Sequence, residues 1–276
     1  MSDQLMLYNI LSAASNAVTE TLQSAPEKPA APVELTPFAK FMQDGLFGKI
    51  VEGIEVTDYV FIHYFAFVAF HILLIAIPYL LGSLNFGIIT SRKLYHDDVR
   101  LHGSGNAGLT NTYRTWGKRA AVYVLLGDSL KAIVSVILGY TLLGINGAYL
   151  AAFFCMLGHM FPIFFKFKGG KGVLTVGAAL ILLDPVVFII LLTVFILTLC
   201  ATKFVSMASC LSMFLYPIFL SSLRGYGTPV LFAFLMTGFV VFMHRANLKR
   251  IWNQEEPKFS FKKKAEQLSS DEPKKR

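Results

Sequence analysis

From Val60 onward the chain consists of long apolar runs broken by short polar patches, and no other feature limits the fold so strongly. The runs lie near Val60–Ile89, Ala120–Leu143, Ala148–Phe165, Val173–Leu183, Val186–Ala201, Ser206–Ser222 and Pro229–His244. They lack the polar–apolar alternation of a water-filled β-barrel. Several approach the roughly 20 apolar residues that a bilayer-crossing helix needs. Charged residues make up only 15% of the chain, against about a quarter in soluble domains. The abundant aromatic and aliphatic residues exclude disorder for most of it. The expected fold is therefore an all-α integral membrane protein. Seven transmembrane helices are expected, or six if Val173–Ala201 is one helix, although Asp184-Pro185 in its middle reads as a turn. No internal repeat supports the inverted-repeat plan of many transporters.

Charge sets the expected orientation. Arg92, Lys93, Arg100, Arg114, Lys118 and Arg119 follow the first run, Lys166, Lys168 and Lys171 the third, Lys203 the fifth, and Arg245, Lys249 and Arg250 the last. The opposite loops carry only Arg224. The positive-inside rule then puts the N-terminus outside and the C-terminus in the cytosol. Residues 1–57 read as a polar N-terminal extension with one short amphipathic helix, Phe38–Ile54, and without the basic start and apolar core of a signal peptide. Residues 58–258 form the membrane domain and 259–276 a basic cytosolic tail. That tail reads as topogenic, with attraction to anionic lipid. No groove-reading module accompanies it, so nucleic acid is not an expected partner. Cys155, Cys200 and Cys210 sit in apolar text without disulfide or zinc spacing, and no metal or cofactor is expected.

Three polar patches fall on the expected cytosolic side. The first, from His102 to Asn111, contains Gly103, Ser104, Gly105, Asn106 and Thr110 and is followed by Arg114. Its glycines permit a backbone whose amides converge on an anion, and Arg114 adds a bidentate cation. A tight interhelical turn explains the glycines equally well. The second patch holds Gly169, Gly170, Lys171 and Gly172 just before an apolar run, where a helix N-terminus and an ammonium would meet a phosphate. It is not a Walker loop, because position 172 is Gly rather than Ser or Thr. Lys166 and Lys168 read as positive-inside anchors. The third patch pairs His244 with Asn247 on one helical face, and alone it is ordinary helix-end chemistry. Asp128 and Lys131 also share a face, as a structural ion pair or a functional one, while His63, His71 and His159 read as packing residues.

In combination these patches resemble one family, the bacterial acyl-phosphate:glycerol-3-phosphate acyltransferases (PlsY family). The matching text is Leu80–Ser83, the GSGNAGLTN stretch with Arg114, Gly127–Lys131, Gly158–Val173, Val205–Ser209 and His244–Arg250. Asn85 and Leu109 depart from the usual family residues, and the first 57 residues have no counterpart in it. The resemblance implies seven helices with an extracytoplasmic N-terminus in the bacterial cytoplasmic (inner) membrane, and an active site facing the cytosol. It implies transfer of a fatty acyl group from acyl phosphate to glycerol 3-phosphate, giving lysophosphatidic acid and inorganic phosphate. Lys171, Ser104, Arg114, His244 and Asn247 become the candidate catalytic residues. Gly103, Gly105, Asn106, Thr110, Asn111, Gly169, Gly170, Gly172 and Ser209 become the phosphate-binding ones. The proton of the attacking hydroxyl goes either to His244 or, as the family resemblance implies, to the departing phosphate. No histidine is followed by Asp five residues on, the pattern of the acyl-thioester enzymes. A carrier for a phosphorylated anion is the competing class, and acyl-chain preference and oligomeric state are not legible.

Overall fold

A computed structural model describes residues 60–259, with side chains from residue 68. The amphipathic stretch expected at Phe38–Ile54, His63 and the tail from residue 260 lie outside the described residues. Among the described residues the chain is helical throughout, without strands: α1 (Val60–Ser83), α2 (Phe86–Tyr95), α3 (Leu109–Met160), α4 (Val173–Leu183), α5 (Pro185–Thr202), α6 (Val205–Arg224), α7 (Thr228–Met243) and α8 (Arg245–Trp252). Short 3-10 turns at Val99–Leu101 and Ile163–Phe165 sit in the two glycine-bearing connections.

The first apolar run is broken rather than continuous to Ile89. Asn85 caps α2, its Oδ1 accepting the Ile88 amide at 3.1 Å. The second and third runs both fall within α3, but Leu143 and Gly144 between them leave helical geometry, as Gly117 does ahead of the second run. Around Gly144 (φ 60°) the chain turns back on itself, for the Cys155 thiol lies 3.8 Å from the Lys131 carbonyl oxygen and Lys131 Nζ lies 3.1 Å from His159 Nδ1. In a straight helix those partners would be about 36 and 42 Å apart. The third run stops at Met160 instead of Phe165, since Phe161 and Pro162 lead into the 3-10 turn. At Asp184 the expected turn is present: its carboxylate caps Val187, Pro185 starts α5, and Arg224 Nε donates to Asp184 Oδ2 at 2.7 Å.

Among the described residues, four helical stretches are long and apolar enough to cross a membrane, five if bent α7–α8 is one crossing. That is fewer than the seven runs because the whole α3 hairpin counts once and α4 has 11 residues. The outer surface is apolar, as lipid requires. Leu126, Leu130, Ile189, Leu197 and Phe214 are all more than 60% exposed. Association between such helices depends on close packing of small residues. Gly139 and Gly147 meet across the hairpin, where a Cβ on Gly139 would stand 2.3 Å from the Gly147 carbonyl oxygen. Tyr149, Met156, Met160, Met213, Tyr216 and Met236 fill the interior behind them.

Gly139→Ala should therefore destabilise the protein by about 1–3 kcal/mol, whereas Gly238→Ala, with open space around it, should not. Thermal unfolding in detergent measures both, and equal midpoints would contradict the hairpin packing.

Candidate functional site

The second glycine loop rests on a buried ionic cluster. Lys131 Nζ lies 2.7 Å from Asp128 Oδ1 and donates to the carbonyl oxygens of Gly82 (2.8 Å) and Leu84 (3.0 Å), at the broken end of α1. It also reaches His159 Nδ1, so His159 is tied into an ion cluster rather than simply packed. The Gly170 amide donates to the His159 carbonyl oxygen and the Gly169 amide to that of Met160, each at 3.0 Å. A Cβ on either glycine would stand 2.0 Å from a His159 atom, the carbonyl oxygen for Gly169 and ring Nε2 for Gly170. These glycines allow close approach, and their amides are occupied by protein partners.

In the first loop Asn111 is the organiser. Its Oδ1 accepts the Ser104 amide at 2.9 Å, and its Nδ2 donates to the carbonyl oxygens of Val99, His102 and Asn106 at 2.9–3.0 Å. Gly103 (φ 57°) and Gly105 (φ 70°) supply the left-handed backbone that the loop needs. Arg100 joins the two loops: its guanidinium holds Asp98 and donates to the carbonyl oxygens of Phe165 (2.9 Å) and Lys168 (3.0 Å).

Between the loops and α6–α8 lies a cavity of about 490 Å³. Ser104, Asn106, Thr110, Asn111, Arg114, Lys171, Gly172, Ser209, His244 and Asn247 all line it, whereas Gly103, Gly105, Gly169 and Gly170 do not. The N-terminus of α4 contributes Gly172, Val173 and Leu174 and has no side-chain cap, so its positive end faces the same space. His244 Nδ1–H donates to the Val240 carbonyl oxygen at 2.8 Å, which leaves Nε2 as the acceptor in the neutral ring. Lys171 Nζ donates to Asn247 Oδ1, and Asn247 Nδ2 donates to Glu256 Oε1 at 2.7 Å.

Glu256 is the charged lining residue after α8 that sequence reasoning missed. It also accepts from Ser206 Oγ and, through Oε2, from Arg250 Nε, both at 2.8 Å. Its sequence signal was slight: one of two adjacent acids in an otherwise basic stretch. Burial would raise its carboxyl pKa, but the bonds from Asn247, Ser206 and Arg250 outweigh burial and lower it. Burial lowers the Lys171 ammonium to about 8, with Glu256 pulling it upward. Beyond the polar mouth the cavity continues between α4 and α5, where Leu174, Ile181, Phe188 and Phe195 make it apolar. Such a shape suits an amphiphile with an anionic head.

The family model described as glycerol-3-phosphate acyltransferase matches residues 72–254. This chain belongs to that family. The glycerol-3-phosphate acyltransferase of Bacillus subtilis is 42% identical over 186 residues, spanning 67% of this chain and 96% of the relative. That of Clostridioides difficile is 38% identical over 199 residues, spanning 70% and 97%. A crystal structure of PlsY, an integral membrane glycerol 3-phosphate acyltransferase, in its glycerol 3-phosphate form has a TM-score of 0.65 at 32% identity. The match covers 68% of this chain and 95% of that one. The lysophosphatidic acid form of PlsY gives a TM-score of 0.62 at 30% identity. Every patch singled out in the sequence falls within the family match.

Because Glu256 raises the Lys171 pKa, Glu256→Gln should move that titration further below about 8. Lysine side-chain NMR, assigned with Lys171→Arg, follows it. An unchanged or higher value would contradict the Lys171–Asn247–Glu256 arrangement.

Proposed function

We propose that this protein transfers a fatty acyl group from acyl phosphate to glycerol 3-phosphate, releasing lysophosphatidic acid and inorganic phosphate. The observation that carries this reading is a single cavity joining a cationic mouth at Lys171 and Arg114 to an apolar arm between α4 and α5. PlsY has been solved in forms with glycerol 3-phosphate and lysophosphatidic acid, which matches such a cavity in chemistry.

An acyl phosphate is a mixed anhydride, so the transfer needs no serine or cysteine nucleophile. Lys171, Ser104, Thr110 and the open N-terminus of α4 hold the acyl-phosphate head, while Arg114, His244 and Asn247 hold glycerol 3-phosphate. The glycerol hydroxyl oxygen attacks the acyl carbon, the bond from that carbon to the phosphate oxygen breaks, and the departing phosphate takes the hydroxyl proton. His244 Nε2 accepts a hydrogen bond from the other, non-attacking hydroxyl of glycerol 3-phosphate and so aims the attacking one. Catalysis then comes from proximity and from cations placed where negative charge develops on the leaving phosphate.

The same reading takes the hairpin as two spans and α4 as a short one. Seven helices then place the N-terminus outside and both glycine loops at the cytosolic face of a bacterial inner membrane. Residues 58–258 form the catalytic domain, with residues 1–57 an addition to it, as the relatives' nearly full length fits within about two thirds of this chain. A carrier for a phosphorylated anion has less support. The cavity lining reaches Ile181 and Phe188 but not the Asp184–Arg224 pair beyond them.

Purified protein given palmitoyl phosphate should release phosphate in a glycerol 3-phosphate-dependent manner, with lysophosphatidic acid formed in equal amount. Lys171→Ala should lower the rate at least 100-fold, on the order of one lost charge-stabilising donor, while Lys168→Ala, outside the cavity lining, keeps most of it. Equal effects of the two substitutions would contradict the assigned role of Lys171.

A further inference from the structure

Several glycines within the helices are fixed by close neighbours: a Cβ on Gly82, Gly127 or Gly158 would lie 2.0–2.2 Å from a backbone oxygen or a ring. Gly177, midway along α4, differs. The nearest atom to a Cβ there is Phe188 Cε2 at 3.9 Å, an ordinary contact. Its backbone is helical without a positive φ, so conformation does not demand glycine either. Glycine is unfavourable inside a helix, and among the described residues no atom near this position accounts for it.

The space beside Gly177 is the apolar arm of the cavity. Leu174 and Ile181 from α4 and Phe188, Leu192 and Phe195 from α5 line the same arm. From Gly172 to Ile181 the arm is about 13 Å deep, and Gly177 stands near its middle. Ile181 and Leu192 are 44% and 41% exposed, so the arm opens sideways on the apolar outer surface. An occupant that meets the cationic mouth at one end and lipid at the other is a long acyl chain carrying a phosphate head.

We infer that Gly177 is a specificity-determining residue, whose missing side chain keeps the arm open to the distal part of a long acyl chain. This rests on the acyl-phosphate reading. A side chain at 177 narrows the arm halfway down, so a long chain loses its contacts beyond that point while a short chain, which ends close to it, loses few.

The test compares kcat/KM for palmitoyl and octanoyl phosphate with full-length protein in detergent micelles. Gly177→Leu should lower the palmitoyl-to-octanoyl ratio at least tenfold, and Gly177→Ala should lower it about threefold. Gly238→Leu, in open space outside the cavity lining, should leave it unchanged. The ratio is taken within each variant, so loss of folded protein cancels, and Gly177→Ala carries the test where the leucine variant does not fold. Active wild-type protein with an unchanged ratio in the Gly177 variants overturns the assignment, as does an equal fall in Gly238→Leu. Wild-type protein inert with both donors overturns the acyltransferase reading and this inference with it.

Discussion

The structure depends on one ammonium group held inside an apolar bundle. An unpaired Lys131 would be expensive there, and its neighbours are arranged to prevent that. Asp128 supplies the counter-charge, and Gly82 and Leu84 supply carbonyl oxygens left free where α1 breaks. His159 completes the set from the returning arm of the hairpin. The cluster thus joins α1 to both arms of α3. Since the Gly169–Gly170 segment lies on His159, the backbone leading to Lys171 is fixed by the same cluster. A charge that looks costly in the membrane domain therefore positions the ammonium of Lys171 at the cavity wall.

The functional side of this arrangement is a second chain of contacts, from Lys171 through Asn247 to Glu256 and on to Ser206 and Arg250. It ties the loop before α4 to α6 and α8, elements far apart in sequence. Arg114 touches the same region by donating to the Pro257 carbonyl oxygen at 3.2 Å. The groups that would face two phosphates thus come from separate segments and meet only in the folded bundle. Such pre-arranged cations let two anions approach without reorganisation at the moment of transfer.

Much of this was legible in the sequence, because a membrane helix is written locally. Apolar run length located most of the helices, and the ends at Asp184-Pro185 and Gly144 followed from turn chemistry and from gaps in the runs. Lys171, His244 and Asn247 were readable as a group through the family resemblance. What could not be read was how backbone groups pair at long range. Gly169 and Gly170 look like anion-cradling glycines, yet their amides bond to Met160 and His159. Asn111 looks like a ligand-facing donor, yet both of its amide hydrogens are directed at loop carbonyls. Glu256 lies in the short charged stretch after α8 and acquires its meaning from Asn247, Ser206 and Arg250, which no spacing rule connects.

On the proposed reading the acyl group passes directly between two phosphate-bearing partners and never rests on the protein. Rapid-quench measurement with palmitoyl phosphate in the absence of glycerol 3-phosphate tests it most directly, following phosphate release and intact protein mass together. Direct transfer predicts no burst of phosphate and an unmodified protein. A burst equal to the enzyme present, with a palmitoyl adduct on the protein, would contradict it.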